Sequence, residues 1–365
     1  MRFADIDLYE GYLFEARVGR ELQHLEDLVF VDGSAGAHKA VNYLRDVASG
    51  QSQPMVKWDG SIALYFGRNA QGQFGLMHKN AWTKGDWIGS ARELRDYIAN
   101  SGRGEEWRAS LAASLAGMWD VLERATPRNA RYFLFGDLLF NQANPPQKAD
   151  GRLEFTPNKV TYSADLSSSI GKKIARAKVG IAVHRQVDEF GSSSLQPIES
   201  LEAFSSPEVF LVGETYIPHQ PEIDSSKLDQ LEQHVNQYAD EVDGFLEPVP
   251  GLKSIASIIY KFSNQMARGD GHSNMERKFY EWIKENVSKG QQEKIRLKQE
   301  SYPLGSEWLF RLFEEIAAVK NDVIDQLDNA EQDLIARTGD QKGGEGYADP
   351  RQGIKLVPRS RWVAG

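Results

Sequence analysis

The sequence predicts an α+β protein with an all-helical block set into its second half. Three observations predict it. Up to about residue 220, hydrophobic residues alternate between helical and strand spacing. From there to about 338 only three- and four-residue spacing is found, and a short apolar strand then closes the chain. With 365 residues, 41% of them apolar and 26% charged, the chain can bury a substantial core.

Taken in order, residues 1–50 are expected to be mainly helical. Leu22, Leu25, Leu28 and Val29 fall at helical spacing, and Ala37, Val41, Leu44 and Val47 mark a second face after a turn at Asp32-Gly33-Ser34. The period changes at 54–82. There the β-rich run SIALYFGR, a turn at 69–72 and a return arm at 73–78 predict a hairpin. Residues 90–126 are rich in alanine and leucine and read as helix. Residues 132–140 (YFLFGDLLF), 153–162 and 178–184 (KVGIAVH) read as strands, the last one buried. Leu228, Leu231, Val235, Tyr238, Val242 and Phe245 then open the helical block, with further helices expected over 251–268, 273–300 and 305–337. Glycines between 339 and 346 end it, and 353–357 is the closing strand. The expected organisation is a core of 1–220, a helical insertion of 221–338, and a return to the core over 339–365.

Composition narrows the chemistry. With no cysteine, there is no disulfide framework, thiolate metal site or cysteine nucleophile. Seven scattered histidines, His272 among them, form no HExxH-type arrangement, and neither GxxxxGK[ST] nor a helix-opening GxGxxG is present. The N-terminus is acidic where a secretory signal is basic, and no run approaches the roughly 18 apolar residues of a spanning helix. A soluble, cytoplasmic protein with no membrane partner is the expectation. The formal net charge of −9 taken alone disfavours nucleic acid, but it is unevenly spread. Residues 221–335 hold 22 acids against 13 bases, and the other 250 residues are balanced at 30 and 30. Lys172, Lys173, Arg176 and Lys178 form one basic cluster; Arg351, Arg359 and Arg361 form another, so phosphate contact is open to the neutral part.

The sharpest local signal is Lys57-Trp58-Asp59-Gly60-Ser61 at the start of a strand. Burying an ammonium costs several kcal/mol unless it is paired or deprotonated, and a lysine so depressed becomes a nucleophile. The pattern resembles motif I, Lys-x-Asp-Gly, of the covalent nucleotidyltransferases: ATP-dependent DNA ligases, RNA ligases and capping enzymes. Other segments follow in family order. Phe135-Gly136-Asp137-Leu138 resembles motif III, 179–184 motif IIIa, Glu345-Gly346-Tyr347 motif IV, and Ile354-Lys355-Leu356-Val357 motif V. HLEDLVF, KWDGSIALYFGR, FGDLLF, FTPNKVTYS and IGKKIARAKVGIAVH also resemble uncharacterised ligase-like proteins of tailed bacteriophages, over residues 20–190 and the last thirty.

The resemblance implies a ligase-type adenylation domain of antiparallel sheets with flanking helices, and a polynucleotide ligase that passes through lysyl-AMP. ATP and Mg²⁺ are the implied cofactors, and nucleic acid with 5′-phosphate and 3′-hydroxyl ends is the partner. Lys57 is then the nucleophile, with Asp59 orienting it or a substrate end, and Lys355 grips the α-phosphate. Gly60, Arg68, Lys79, Val183 and Glu345 join Lys355 in nucleotide binding, and Asp137 and Glu345 hold the metal. Lys172, Lys173, Arg176, Arg359 and Arg361 contact the nucleic acid. Two departures matter. Motif V usually carries two lysines one residue apart; the second place is Val357, with Arg359 as substitute. Only eight residues follow Val357, too few for the OB-fold of DNA ligases and capping enzymes. Ser61 after the glycine matches some phage RNA ligases, and Ile62 stands where DNA ligases usually have arginine, which tilts the expectation toward RNA. DNA nick sealing, and a degenerate nucleotidyltransferase that binds without sealing, are the alternatives.

Overall fold

A computed structural model describes residues 22–100, 105–198, 200–204, 206–249, 254–267, 274–330 and 332–359. Its strands, in chain order, are β1 (Gln23–His24), β2 (Met55–Val56), β3 (Ala63–Arg68), β4 (Phe74–His78), β5 (Phe133–Phe140), β6 (Gln147–Ala149), β7 (Arg152–Phe155), β8 (Val160–Asp165), β9 (Val179–Val187), β10 (Val209–Val212), β11 (Leu334–Thr338), β12 (Gln341–Lys342), β13 (Tyr347–Asp349) and β14 (Ile354–Leu356). Its α-helices are α1 (Leu28–Ser49), α2 (Lys79–Lys84), α3 (Ala91–Ala99), α4 (Glu105–Ala116), α5 (Trp119–Ala125), α6 (Ser169–Arg176), α7 (Ser225–Leu246), α8 (Ile255–Ala267), α9 (Met275–Asn286), α10 (Lys289–Ser301) and α11 (Gly305–Asn329). The fold is α+β, as expected. The described residues divide into two compact units, one drawn from 58–215 with 332–345 and the other from 22–57, 216–330 and 346–359.

The first unit contains two five-stranded sheets, ordered β10-β9-β5-β3-β4 and β12-β11-β8-β7-β6. The expected hairpin is β3–β4. Its turn is fixed by the Asn69 side chain, which accepts from the amides of Gln71 and Gln73 at 3.1 and 2.9 Å, while Gly72 takes φ +79°. Aromatic side chains fill the core beside it: Tyr65 stacks on Trp82 at 4.1 Å and on Phe135 at 4.6 Å. The second sheet is antiparallel throughout, but the first is mixed, because β10 runs parallel to β9. The strand expected over 153–162 is two strands, β7 and β8, folded back at 156–159.

The second unit is helical, with the short mixed sheet β1-β14-β13-β2. One apolar core joins Leu25–Val47 of the N-terminal region, helices α7 to α11, and Tyr347, Ile354 and Leu356 of the sheet. Phe30 stacks on Phe313 at 4.7 Å and meets Phe310 edge-on at 5.7 Å. The helical block is therefore no insertion with its own core; it shares one with the chain's beginning and end. The turn expected at Asp32-Gly33-Ser34 is a kink inside α1, where Gly33 takes φ +57°. The Asp243 carboxylate secures it, accepting from the Ser34 amide at 2.7 Å and hydroxyl at 2.6 Å. The last expected helix, 305–337, ends at Asn329. Residues 334–338 alternate in exposure and pair with β8 as strand β11. Among the described residues no helix is long and apolar enough to cross a membrane.

Candidate functional site

In the helical unit, the sheet sets Lys57 and Lys355 on one face. Lys355 pairs with Ala348 on one side and with His24 on the other, and Ala348 pairs in turn with Met55. Residues opposite one another share a face, and faces alternate along a strand. Lys57 is two residues beyond Met55 and so returns to that face; its amide continues the ladder by donating to the Gly346 carbonyl at 2.9 Å. Ile354, Leu356 and Tyr347 take the opposite face and enter the helical core. Lys57 and Lys355 are both half-buried.

His24 lies in the same row. Its Nδ1 is shut off from solvent without a hydrogen-bond partner. Burial first, then the positive charges of Arg359, Lys355, Lys320 and Lys57, hold its pKa well below the ordinary histidine value. The imidazole is therefore neutral in a cationic surrounding.

In the strand unit, Asp59 is only 6% exposed and its carboxylate is fully engaged. It accepts from the Asn158 side chain and the Lys159 amide at 2.9 Å each, and from the Val160 amide at 3.0 Å. The Asp59 amide donates to the Tyr162 hydroxyl at 2.6 Å. Asp59, expected to orient a lysine or a substrate end, thus clamps the β7–β8 turn. Gly60 is required by a close approach, since a Cβ there would stand 2.2 Å from the Asp137 Cβ.

Asp137, at mid-β5, meets His184 of β9 through Oδ2 and Nε2 at 2.8 Å. A bulge makes this pairing. Phe135 opposes Arg185 and Gly136 opposes Val183, which leaves His184 as the extra residue, turned toward Asp137. Tyr162 reports the surrounding charge. Its pKa is pushed well above the ordinary tyrosine value by burial, opposed by the Asp59 amide, and raised further by the charges of Asp59, Glu345 and Asp137. Asp137 and half-buried Glu345 are thus near enough to Tyr162 to act on it electrostatically, and their hard oxygens suit magnesium. Among the described residues, however, no three His, Asp or Glu side chains gather as a ready metal cluster.

The other expected residues divide. Val183 is buried on β9, beside the bulge. Lys79 opens α2 and is half-buried. Arg68 is corrected: its guanidinium donates to the carbonyls of Pro127, Gly72, Glu123 and Thr126 at 3.1–3.4 Å and lies over Phe74, so it is spent on holding the hairpin. Arg359 is corrected too. It is 7% exposed and ion-paired with Glu26 and Asp27, so it is turned inward, away from any nucleic acid. Lys172, Lys173 and Arg176 are exposed on α6, whereas Lys178 pairs with Glu208. Arg361 and His272 lie outside the described residues.

The model of DUF6267, a family of unknown function, matches residues 20–363. The chain belongs to the DUF6267 family. No curated protein and no solved structure matches it. The matched stretch of this DUF6267 chain spans both units and every residue of both constellations. Sequence reasoning missed His24, Tyr162 and the pairing of His184 with Asp137. Register and a bulge join them across 47 residues or more, and no local spacing encodes that.

Proposed function

We propose that the protein is an ATP-dependent polynucleotide ligase that works through a lysyl-AMP on Lys57, with RNA ends preferred over DNA. The observation that carries this reading is the placement of Lys57 and Lys355 on one face of one sheet, with the Gly346 carbonyl holding the Lys57 amide. The chemistry needs the neutral amine of Lys57, a half-buried side chain. That amine attacks the α-phosphorus of ATP. The Nζ–P bond forms, the bond to the bridging oxygen breaks, pyrophosphate leaves and the amine's proton passes to solvent. Lys355 stabilises the charge that builds on the α-phosphate oxygens. A 5′-phosphate oxygen next displaces lysine from the AMP phosphorus, and a 3′-hydroxyl then displaces AMP and seals the strand.

Asp137 and Glu345 are the residues that would hold magnesium, whose chemistry is charge neutralisation on phosphate. Asp59 acts at one remove, by fixing the turn to which the Lys57–Gly60 segment is tied through Tyr162. Ser61 after the glycine and Ile62 in place of arginine support RNA over DNA.

One observation favours a second reading, binding of a nucleotide without sealing. Val357, at the second motif V position, is buried, its carbonyl accepts from Lys320 at 3.0 Å, and Arg359 is locked into ion pairs. Neither therefore replaces the missing lysine. Incubation with α-labelled ATP and Mg²⁺ separates the readings. The ligase reading expects a covalent adduct that is lost in Lys57→Ala and transferred to 5′-phosphorylated RNA. The absence of an adduct from both ATP and GTP would refute it.

A further inference from the structure

Helix α1 carries two faces. Ala37, Ala40, Val41, Leu44 and Val47 enter the apolar core of the helical unit. His38, Lys39, Asn42, Tyr43 and Asp46, at three- and four-residue spacing along the same helix, line a cleft of about 490 Å³. The turn between β13 and β14 adds Gln352 and Ile354. That turn is shaped locally: the Asp349 carboxylate accepts from the amides of Arg351 and Gln352 at 3.1 and 3.2 Å, and Gly353 takes φ +65°. Every lining residue belongs to the helical unit. Ile354 takes the sheet face opposite Lys355, so the cleft is separate from the two lysines. Its volume is that of a site for one small ligand.

Tyr43 and Asp46 are the unsatisfied groups of this cleft. Tyr43 is 3% exposed, and among the described residues its hydroxyl has no hydrogen-bond partner. A buried hydroxyl left unbonded is costly, and such a group calls for an explanation. The charges of Asp349 and Asp46 both reach it. The half-buried Asp46 carboxylate itself accepts no hydrogen bond among the described residues; the bonds made to Asp46 go to its backbone carbonyl. Asn42 and Gln352 are exposed, and their side-chain amides are likewise unbonded among the described residues, so both can turn as a ligand enters.

The charge pattern selects the ligand. An anion would meet Asp46 and Asp349 at the tyrosine, and Glu232 of α7 close enough to interact with His38, although Arg45 also pairs with Glu232 at 2.7 Å. A compact cation would meet Lys39. A neutral hydroxyl suits both unsatisfied groups, because it accepts from Tyr43 and donates to Asp46 at once. A second hydroxyl beside it suits Asn42 and Gln352, whose amides each offer donors and an acceptor, and Lys39 can donate to a further oxygen. We propose that the cleft binds a neutral ligand through vicinal hydroxyls, namely a sugar ring, either free or as the ribose of a nucleoside.

The test is calorimetric titration of the full chain with ribose, glucose, adenosine and 2′,3′-dideoxyadenosine. At least one of the first three should bind. Binding of a free sugar assigns the site to sugars, and binding of adenosine alone assigns it to nucleosides. Where adenosine binds, the dideoxy compound should bind at least about tenfold more weakly, a loss matching one hydrogen bond. Tyr43→Phe and Asp46→Asn should each weaken the bound ligand by a similar factor. Tyr43→Phe removes a hydroxyl that bonds nothing, so its urea midpoint should not fall. No binding of any of the first three at millimolar concentration, affinity unchanged in Tyr43→Phe, or dideoxyadenosine equal to adenosine would overturn the proposal. A urea midpoint lowered in Tyr43→Phe would also overturn it, since the hydroxyl would then be satisfied already, by water. A Lys57 adduct with a silent cleft sinks only this inference; a cleft that binds its ligand without an adduct sinks only the ligase reading.

Discussion

Both units meet buried carboxylates with neutral donors, Asp349 and Asp328 in the helical unit and Asp59 in the strand unit, but among the described residues only the helical unit also buries a network of opposite charges. The helical unit buries Glu26, Asp27, Lys320 and Arg359 at 1–7% exposure and pairs them with each other. Among the described residues the strand unit buries one carboxylate, Asp59, and satisfies it with backbone amides and an asparagine rather than a counter-charge; its Asp137–His184 pair stays about 30% exposed. Buried ion pairs contribute little net stability over apolar packing, because desolvation consumes most of the Coulomb gain. Their use is in specifying one arrangement. The contrast thus teaches where register matters most: at short strands such as β1 and β14, two and three residues long, which carry His24 and Lys355.

Lys320→Met tests that contrast with the largest expected effect. It strands Glu26 beside Arg359 alone and frees the Val357 carbonyl. The cost should be about 3–5 kcal/mol, read as a shift in the urea midpoint with little change in slope. A loss under about 1 kcal/mol would show that the network is not held as a unit.

Acid offers a second way to separate the units. The charges of Lys320 and Arg359 hold the Glu26 carboxyl down at about 2 against the pull of burial, which by itself raises it. A depressed carboxylate contributes stability above its unfolded value, and that contribution is lost as pH falls from about 4.5 to about 2. Asp27 opposes this. Burial lifts its pKa above the ordinary value, so its protonation on the way down relieves part of the loss. The net loss should be no more than about 3 kcal/mol and should largely vanish in Lys320→Met. In the strand unit, Asp59→Ala leaves the Lys159 and Val160 amides unsatisfied and should cost about 2–3 kcal/mol. It should also open the 156–160 turn to limited proteolysis while leaving the acid transition of the helical unit in place.

These contrasts mark how far the sequence was legible. The hairpin, the strand FGDLLF, the helical block and the closing strand follow from period and turn chemistry, and each is present. Local spacing did not reveal which segments share a core. Leu228 and Phe245 pack with Val29 and Phe30, some 200 residues away, so the helical block reads as an insertion until its partners are seen. Arg68 and Arg359 mislead for a related reason. A lone arginine near a motif looks like a ligand for phosphate, whereas four carbonyls or two buried carboxylates claim these two first.

The smallest effect on stability is expected from α6, which carries an exposed cationic cluster. Lys172, Lys173 and Arg176 are exposed, and the helix is held from its other side by buried Ile174 and by the Ser168 hydroxyl, which accepts from the Gly171 amide at 3.0 Å. Replacing all three cations with alanine removes charge without touching those contacts. Each change should therefore stay within about 0.5 kcal/mol in the urea midpoint. Binding to a 5′-phosphorylated RNA should respond differently. Each cation that neutralises a phosphate releases about 0.7 counterions from a single strand, so the triple variant should flatten the slope of log affinity against log salt by about 2. An unchanged slope would mean that α6 is a solvated face, and that any nucleic acid is met elsewhere on the chain.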